Sequence, residues 1–226
     1  MNGRYDRQLP VFGEEGQERI QTATVGIAGC GGLGVNVITQ LTEAGVSAFI
    51  LCDPQTPDVT NLNRQFIYSP ADYRPKAQVA GEWILALNPM AMVESHAQPL
   101  TEDNMAIFRN CDVVVDCLDN FESRMVLSDL SEKTGIPLVH AGVAGMQGQI
   151  AVCIPGKTPS LRDMIGTMKD PEGPVPSVGA AVSVIAGMEA LEALKVISGM
   201  GSEDAGKLVT VDMSTWTTET VDFMQQ

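Results

Sequence analysis

The stretch TVGIAGCGGLGVNVITQLTEA, residues 24–44, decides the fold. Its first five residues, Thr24–Ala28, are a short apolar run, and Val35, Ile38, Leu41 and Ala44 then recur on one helical face. Between the two lies GCGGLG, in which Gly29, Gly31 and Gly34 fit the spacing G-x-G-x-x-G. Glycines at such a strand-to-helix turn let the backbone approach a phosphate closely, and the helix that follows turns its N-terminus toward that charge. A second apolar run, Ala48–Cys52, ends at Asp53, 19 residues after Gly34. An acid in that place can take two ribose hydroxyls, so turn and acid together point to a nucleotide with a free ribose.

Working outward, strand and helix patterns alternate. Lys76–Leu87 predicts a helix closed by Asn88 and Pro89, and 92–95 a third strand. Residues 102–109 predict a short helix capped by Thr101. The β-branched run 113–117 fits a strand buried on both faces. Residues 123–134 predict a helix stopped by Gly135 and Pro137; 138–141 and 149–154 read as strands, and 178–198 as a long helix rich in small residues. Lys207–Asp212 and Thr217–Asp222 read as a terminal antiparallel pair. The expectation is an α/β fold, a Rossmann-like, mostly parallel sheet flanked by helices, with a C-terminal antiparallel extension. One linker-like stretch, 155–176, holds five prolines and three glycines and predicts a long exposed loop.

Composition narrows the function. The 226 residues carry 28 acidic and 14 basic side chains, a net charge of −14. Phosphate backbones and anionic membranes are held by Lys and Arg, so neither nucleic acid nor a membrane surface is an expected partner. No apolar run approaches the ~18 residues of a membrane span. The start MNGRYDRQLPVF has no signal-peptide core, and five cysteines without a C-x-x-C pair fit a reducing cytoplasm and no zinc site. The expected state of each cysteine is a small buried hydrophobe.

A dehydrogenase would need an acid or base beside a nicotinamide, and neither His96 nor His140 stands in such a context. The chain instead offers cations. TNLNRQF (60–66) contains Arg64, RPKAQVA (74–80) places Lys76 at a helix start, and RYDRQ (4–8) contains Arg7. A protein at −14 repels a triphosphate unless it supplies such local positive charge. The fourth strand runs into DCLDN (116–120), which puts Asp119 at the carboxyl end of the sheet, where ligands of open α/β sheets sit. A carboxylate beside phosphates calls for a cation between them. Mg²⁺, which uses one or two carboxylates plus phosphate oxygens, makes Asp119 a metal-ligand candidate.

RYDRQ, GCGGLG, Asp53, NLNRQ, RPK and DCLDN occur in that order, and in this the chain resembles the ThiF/MoeB/HesA family, relatives of the ubiquitin-activating enzymes. The resemblance runs from about Arg4 to Met213 and implies one adenylation domain over 1–226, with a nucleotide-binding part at about 1–145 and a crossover loop at about 155–177. It implies ATP and Mg²⁺ as cofactors, and adenylation of the C-terminal carboxylate of a ubiquitin-like sulfur-carrier protein ending in Gly-Gly, for thiamine- or molybdopterin-type cofactor synthesis. By position, Gly29, Gly31, Gly32 and Gly34 would hold the phosphate region and Asp53 the ribose. Asn61, Arg64 and Lys76 would contact the triphosphate with Gln65 in support, and Asp119 would hold Mg²⁺ with Asn120 beside it. Arg7 would reach the ATP of a partner subunit in a homodimer. Two departures are visible: the zinc-binding C-x-x-C pairs of many relatives are absent, and so is a cysteine in the crossover loop. Other readings are adenylation of a small-molecule or other protein carboxylate, an NAD-dependent oxidoreductase, and a non-catalytic scaffold subunit.

Overall fold

The computed structural model describes residues 3–170 and 172–225. Its strands are β1 (Thr24–Ala28), β2 (Ala48–Cys52), β3 (Met92–His96), β4 (Val113–Asp116), β5 (Leu138–Ala144), β6 (Gln147–Cys153), β7 (Lys207–Asp212) and β8 (Thr217–Asp222). They form one eight-stranded sheet in the order β3-β2-β1-β4-β5-β6-β7-β8. β1 to β5 pair in parallel, and β6, β7 and β8 continue antiparallel, as the α/β reading with an antiparallel extension requires. The chain winds outward from β1 through β2 to β3, then returns to lay β4 on the other side of β1. That reversal opens a crevice between the carboxyl ends of β1 and β4, the place where doubly wound sheets bind ligands.

The helices are α1 (Leu9–Thr22), α2 (Gly32–Ala44), α3 (Lys76–Leu87), α4 (Phe121–Thr134), α5 (Leu161–Ile165) and α6 (Gly179–Ser198). α1, α2, α3 and α6 bury Ile20, Val37, Leu41, Ile84 and Ile185 on one face of the sheet, against Val25, Ile27, Val113 and Val115. α4 and α5 bury Leu127, Leu130, Leu161 and Ile165 on the other, with Phe108, Val114 and Leu138. Both faces are therefore covered, which is why the parallel strands are continuous apolar runs. No helix of the described residues is long and apolar enough to cross a membrane.

Four expectations are corrected. Residues 102–109 form turns and a single 3₁₀ turn, Met105–Phe108, instead of a helix. Thr101 does not cap it: the Asn104 carboxamide accepts from Thr101 N (2.8 Å) and donates to the Pro99 carbonyl (2.7 Å), satisfying the backbone locally. Helix α1, on which the sequence raised no expectation, has no strong apolar stripe, because Gly13 at φ +70° breaks its periodicity and only Gly16, Gln17 and Ile20 are buried. The 155–176 loop carries α5, held by a Ser160–Asp163 capping box. The turn between β5 and β6 is tighter than expected, since both strands extend toward it.

Phe108 is fully buried between the sheet and α4. Phe108→Ala is expected to lower unfolding free energy by about 3–5 kcal/mol in urea titration, the cost of an unfilled aromatic cavity.

Candidate active site

The turn after β1 is built by contact. Gly29 has φ +94°, and a Cβ there would lie 2.5 Å from the Cys117 carbonyl oxygen. A Cβ on Gly34 would fall on the Gly29 carbonyl oxygen. Neither position tolerates a side chain, so Gly29 and Gly34 fix the turn's shape. Gly31 and Gly32 face the cleft, and the first turn of α2 has no side-chain cap. Its free amides make an anion site.

The Cys30 peptide is gripped from both sides. Asp53 Oδ2 accepts from Cys30 N at 2.7 Å, and the Tyr68 hydroxyl donates to Cys30 O at 2.6 Å. Asp53 Oδ1 accepts from Gln55 N at 2.7 Å. Burial pushes the Asp53 carboxyl above its ordinary range, against the pull of these two amides and of Lys76. Lys76 begins α3 and is only 1% exposed. Its backbone N donates to Gln55 O (2.8 Å) and its Nζ to Gln55 Oε1 (2.7 Å). Burial pulls its pKa down; Asp53 and Asp119 work the other way.

Arg64 lies across the glycine turn, its stem 3.4 Å from where a Gly32 Cβ would be. Its guanidinium donates to Thr60 O (2.9 Å) and Asn63 Oδ1 (2.7 Å). Asn61 closes a capping box with Asp58, its Oδ1 accepting from Asp58 N. Gln65 is buried beside Gly31, and its Oε1 has no partner. A buried acceptor without a donor is costly, and its place under the phosphate turn suits a ligand or a water held with one. Asp119 is exposed to the cleft, and Asn120 beside it caps α4 by accepting from Ser123 N (2.9 Å). Among the described residues no three His, Cys, Asp or Glu side chains form a metal cage. A lone exposed carboxylate fits Mg²⁺, which keeps water and phosphate oxygens as its other ligands.

Gly29, Gly31, Gly32, Asp53, Asn61, Arg64, Gln65, Lys76, Asp119 and Asn120 thus line one cleft of about 970 Å³. Arg7 does not. It is exposed in the turns before α1, where the neighbouring Gln8 donates to the Ala44 carbonyl at the far end of α2. Thirteen residues of helix separate that end from the glycine turn, a span of about 20 Å. The five cysteines are buried. Burial raises Cys52, Cys111 and Cys153 to about 12, and Cys30 and Cys117 well above the ordinary thiol.

Several residues of the site left no mark in the sequence reading. Gln55 and Tyr68 each follow a motif residue by a few positions, and their roles could have been sought there. Arg124, whose guanidinium donates to Leu118 O (2.6 Å), is brought to the DCLDN loop by α4. His140, which the sequence reading set aside as a catalytic group, is fully buried with its Nδ1 2.7 Å from Asp116 Oδ2.

Comparison with known proteins shows the family and the fold. The ThiF family pattern matches residues 5–226. The chain belongs to the ThiF family. It is 38% identical over 226 aligned residues to a sulfur carrier protein adenylyltransferase of Thermus thermophilus, covering 92% of this chain and 82% of that one. It is 34% identical to the probable adenylyltransferase/sulfurtransferase MoeZ of Mycobacterium tuberculosis, covering 92% of this chain and 57% of MoeZ. The adenylyltransferase and sulfurtransferase MOCS3 of Drosophila yakuba is 36% identical, and the chain spans about half its length (49%). The same fold occurs in E. coli MccB solved with ATP, at a TM-score of 0.86 and 21% identity, covering 98% of this chain and 72% of MccB.

The buried Lys76 carries a signature in stability. Its folded pKa lies below the ordinary 10.5, so between those values the unfolded chain binds more protons and stability rises with pH. Urea unfolding of the ligand-free protein from neutral pH to pH 10.5 should show this rise, and Lys76→Met should remove it in the difference between the two proteins.

Proposed function

We propose that this chain uses ATP and Mg²⁺ to adenylate the C-terminal carboxylate of a ubiquitin-like sulfur-carrier protein ending in Gly-Gly, in the cytoplasm, as one adenylation domain of a homodimer. The observation that carries the reading is the single cleft that gathers Arg64, Lys76 and Asp119 around the uncapped start of α2, with Asp53 at one end. An NAD-dependent oxidoreductase would use the glycine turn and Asp53 but leave those three charges idle.

Asp53 holds the ribose, and the α2 amides with Gly31 and Gly32 hold the phosphates. Lys76 and Arg64 draw the charge of the β- and γ-phosphates toward the α2 end. The carrier carboxylate attacks the α-phosphorus, the bond to the bridging oxygen breaks, and pyrophosphate leaves with the electron pair, giving an acyl-adenylate. No proton need move, so rate comes from positioning and from charge placed where the leaving group forms. Mg²⁺, when bound, adds positive charge at the phosphate oxygens, and Asp119 is the residue that would hold it. The chain's thiols are packed away and raised in pKa, so the sulfur nucleophile that consumes the acyl-adenylate comes from another molecule. Arg7, remote from its own cleft, reaches the triphosphate of the partner subunit.

ATP–pyrophosphate exchange driven by Gly-Gly carriers, with small carboxylates as the competing substrates, tests the reading. Exchange driven by small carboxylates alone would replace the carrier. Arg7→Ala and Asp119→Ala chains should each lose about 10²-fold or more of the exchange. Mixed under proven subunit exchange, half the dimers are hybrids with one intact site. About a quarter of wild-type activity should return; no recovery would place Arg7 in its own site or outside catalysis. The purified protein is also expected to carry no stoichiometric zinc by elemental analysis, and one tightly held zinc per chain would overturn that expectation.

A further inference from the structure

A polar chain runs under the cleft floor away from the nucleotide end. Asp116, fully buried at the end of β4, accepts from His140 Nδ1 (2.7 Å) and Leu118 N (3.1 Å), with Arg124 Nε at 3.6 Å. His140 Nε2 then lies 2.9 Å from Gln149 Nε2, and Gln149 lines the cleft. The proton positions follow. The carboxylate claims a hydrogen on Nδ1, so the neutral ring offers only a lone pair at Nε2. Burial, the largest influence on His140, favours that neutral ring. The nitrogen of the Gln149 carboxamide must therefore face His140, and its oxygen must face away. Gln149 Oε1 has no partner within the chain among the described residues and is a fixed acceptor in the cleft.

The position of this acceptor selects its ligand. Gln149 stands on β6, two strands beyond β4, whose end leads to Asp119, and four beyond β2, whose end leads to Asp53. At about 4.8 Å per strand that is roughly 10 Å past the reacting end and 19 Å from the ribose acid. An adenine nucleotide laid from Asp53 to Asp119 leaves Gln149 on the side of the incoming carboxylate. A small carboxylate ends short of it. An extended main chain, at about 3.4 Å per residue, reaches it with the peptide group two or three residues before its terminus. In register with Gln149 stand Gly142 on β5 and Thr210 and Glu219 on β7 and β8, all lining the same cleft. Glycine at 142 keeps the approach open, since a Cβ there would press on the Gln149 side chain at 3.3 Å.

We propose that Gln149, oriented by His140 and Asp116, accepts a hydrogen bond from a main-chain N–H two or three residues before the carboxylate that is adenylated, and so makes the site select an extended peptide end over a small carboxylate. Gln149 is a specificity residue; His140 and Asp116 are positioning residues. The inference rests on the adenylation reading above.

The test uses a ubiquitin-like carrier ending in Gly-Gly, made by protein ligation with its natural tail and with each of the last four main-chain amides replaced in turn by an ester. An ester keeps the tail's length but removes the N–H. In ATP–pyrophosphate exchange, one ester two or three residues from the end should raise the carrier KM about three- to tenfold, the worth of one neutral hydrogen bond. Gln149→Leu should raise it by a similar factor, leave the KM for ATP unchanged, and make that ester silent. His140→Phe should raise the carrier KM in the same selective way, by freeing the carboxamide to turn. Because the ester changes no residue of the enzyme, the result stands even if a variant folds poorly. Tails indifferent to every ester, or ester and Gln149→Leu effects that simply multiply, would overturn the inference while leaving carrier adenylation intact. A wild type inert with all Gly-Gly carriers would overturn both.

Discussion

The close approach of Gly29 to the Cys117 carbonyl brings the ends of β1 and β4 together, and the site depends on it. It is made possible by a backbone with φ +94° and no side chain. It is reinforced by the bond from Cys117 N to Ala28 O at 2.9 Å and, on the other flank, by Gly29 N to Cys52 O at 2.8 Å. Three strand ends are tied at one point: β1 supplies the turn, β2 supplies Asp53, and β4 supplies the loop with Asp119. The grip of Asp53 and Tyr68 on the Cys30 peptide then fixes the direction in which α2 departs. A methyl group in this turn would separate the three ends together, which is a larger fault than the loss of any one ligand contact.

The charge distribution follows the same geometry. A chain with net charge −14 meets an anionic nucleotide only by concentrating its positive groups. Lys76 is sunk into the wall and held by Gln55, Arg64 lies over the turn, and the α2 amides add their partial charges. The acids that share the space, Asp53 and Asp119, sit at the two ends of the run. Asp53 already accepts two backbone amides, so it is a held acceptor instead of a free repelling charge. The cost of burying Lys76 is only partly offset in the free protein by these neighbours, and phosphates arriving in the cleft would relieve the rest.

Much of this was legible in the chain because it is local. The glycine turn, the strand-end acid, Lys76 at a helix start and the DCLDN strand end each announce themselves within a few residues, and ten of the proposed site residues line one cleft. What stayed hidden depends on long-range pairing. Gln149 is an ordinary polar residue of a strand until β5 sets His140 beside it, nine positions away in sequence and adjacent in space. Helix α1 was not visible because Gly13 interrupts its repeat, and 102–109 read as a helix because apolar spacing says nothing of the competing Asn104 carboxamide. Arg7 was visible as a motif, but its distance from its own cleft is a property of the folded N-terminus.

The burial of all five thiols has a consequence of its own. They are spread through the structure: Cys30 at the glycine turn, Cys52 at the end of β2, Cys117 just after β4, Cys111 beside Phe108, and Cys153 at the end of β6. Each is protonated and out of reach in the native state, so alkylating agents and peroxides meet a surface with no sulfur but methionine. Thiol labelling therefore reads opening of the sheet itself. The order in which the five positions become reactive in rising denaturant maps which end of the sheet lets go first.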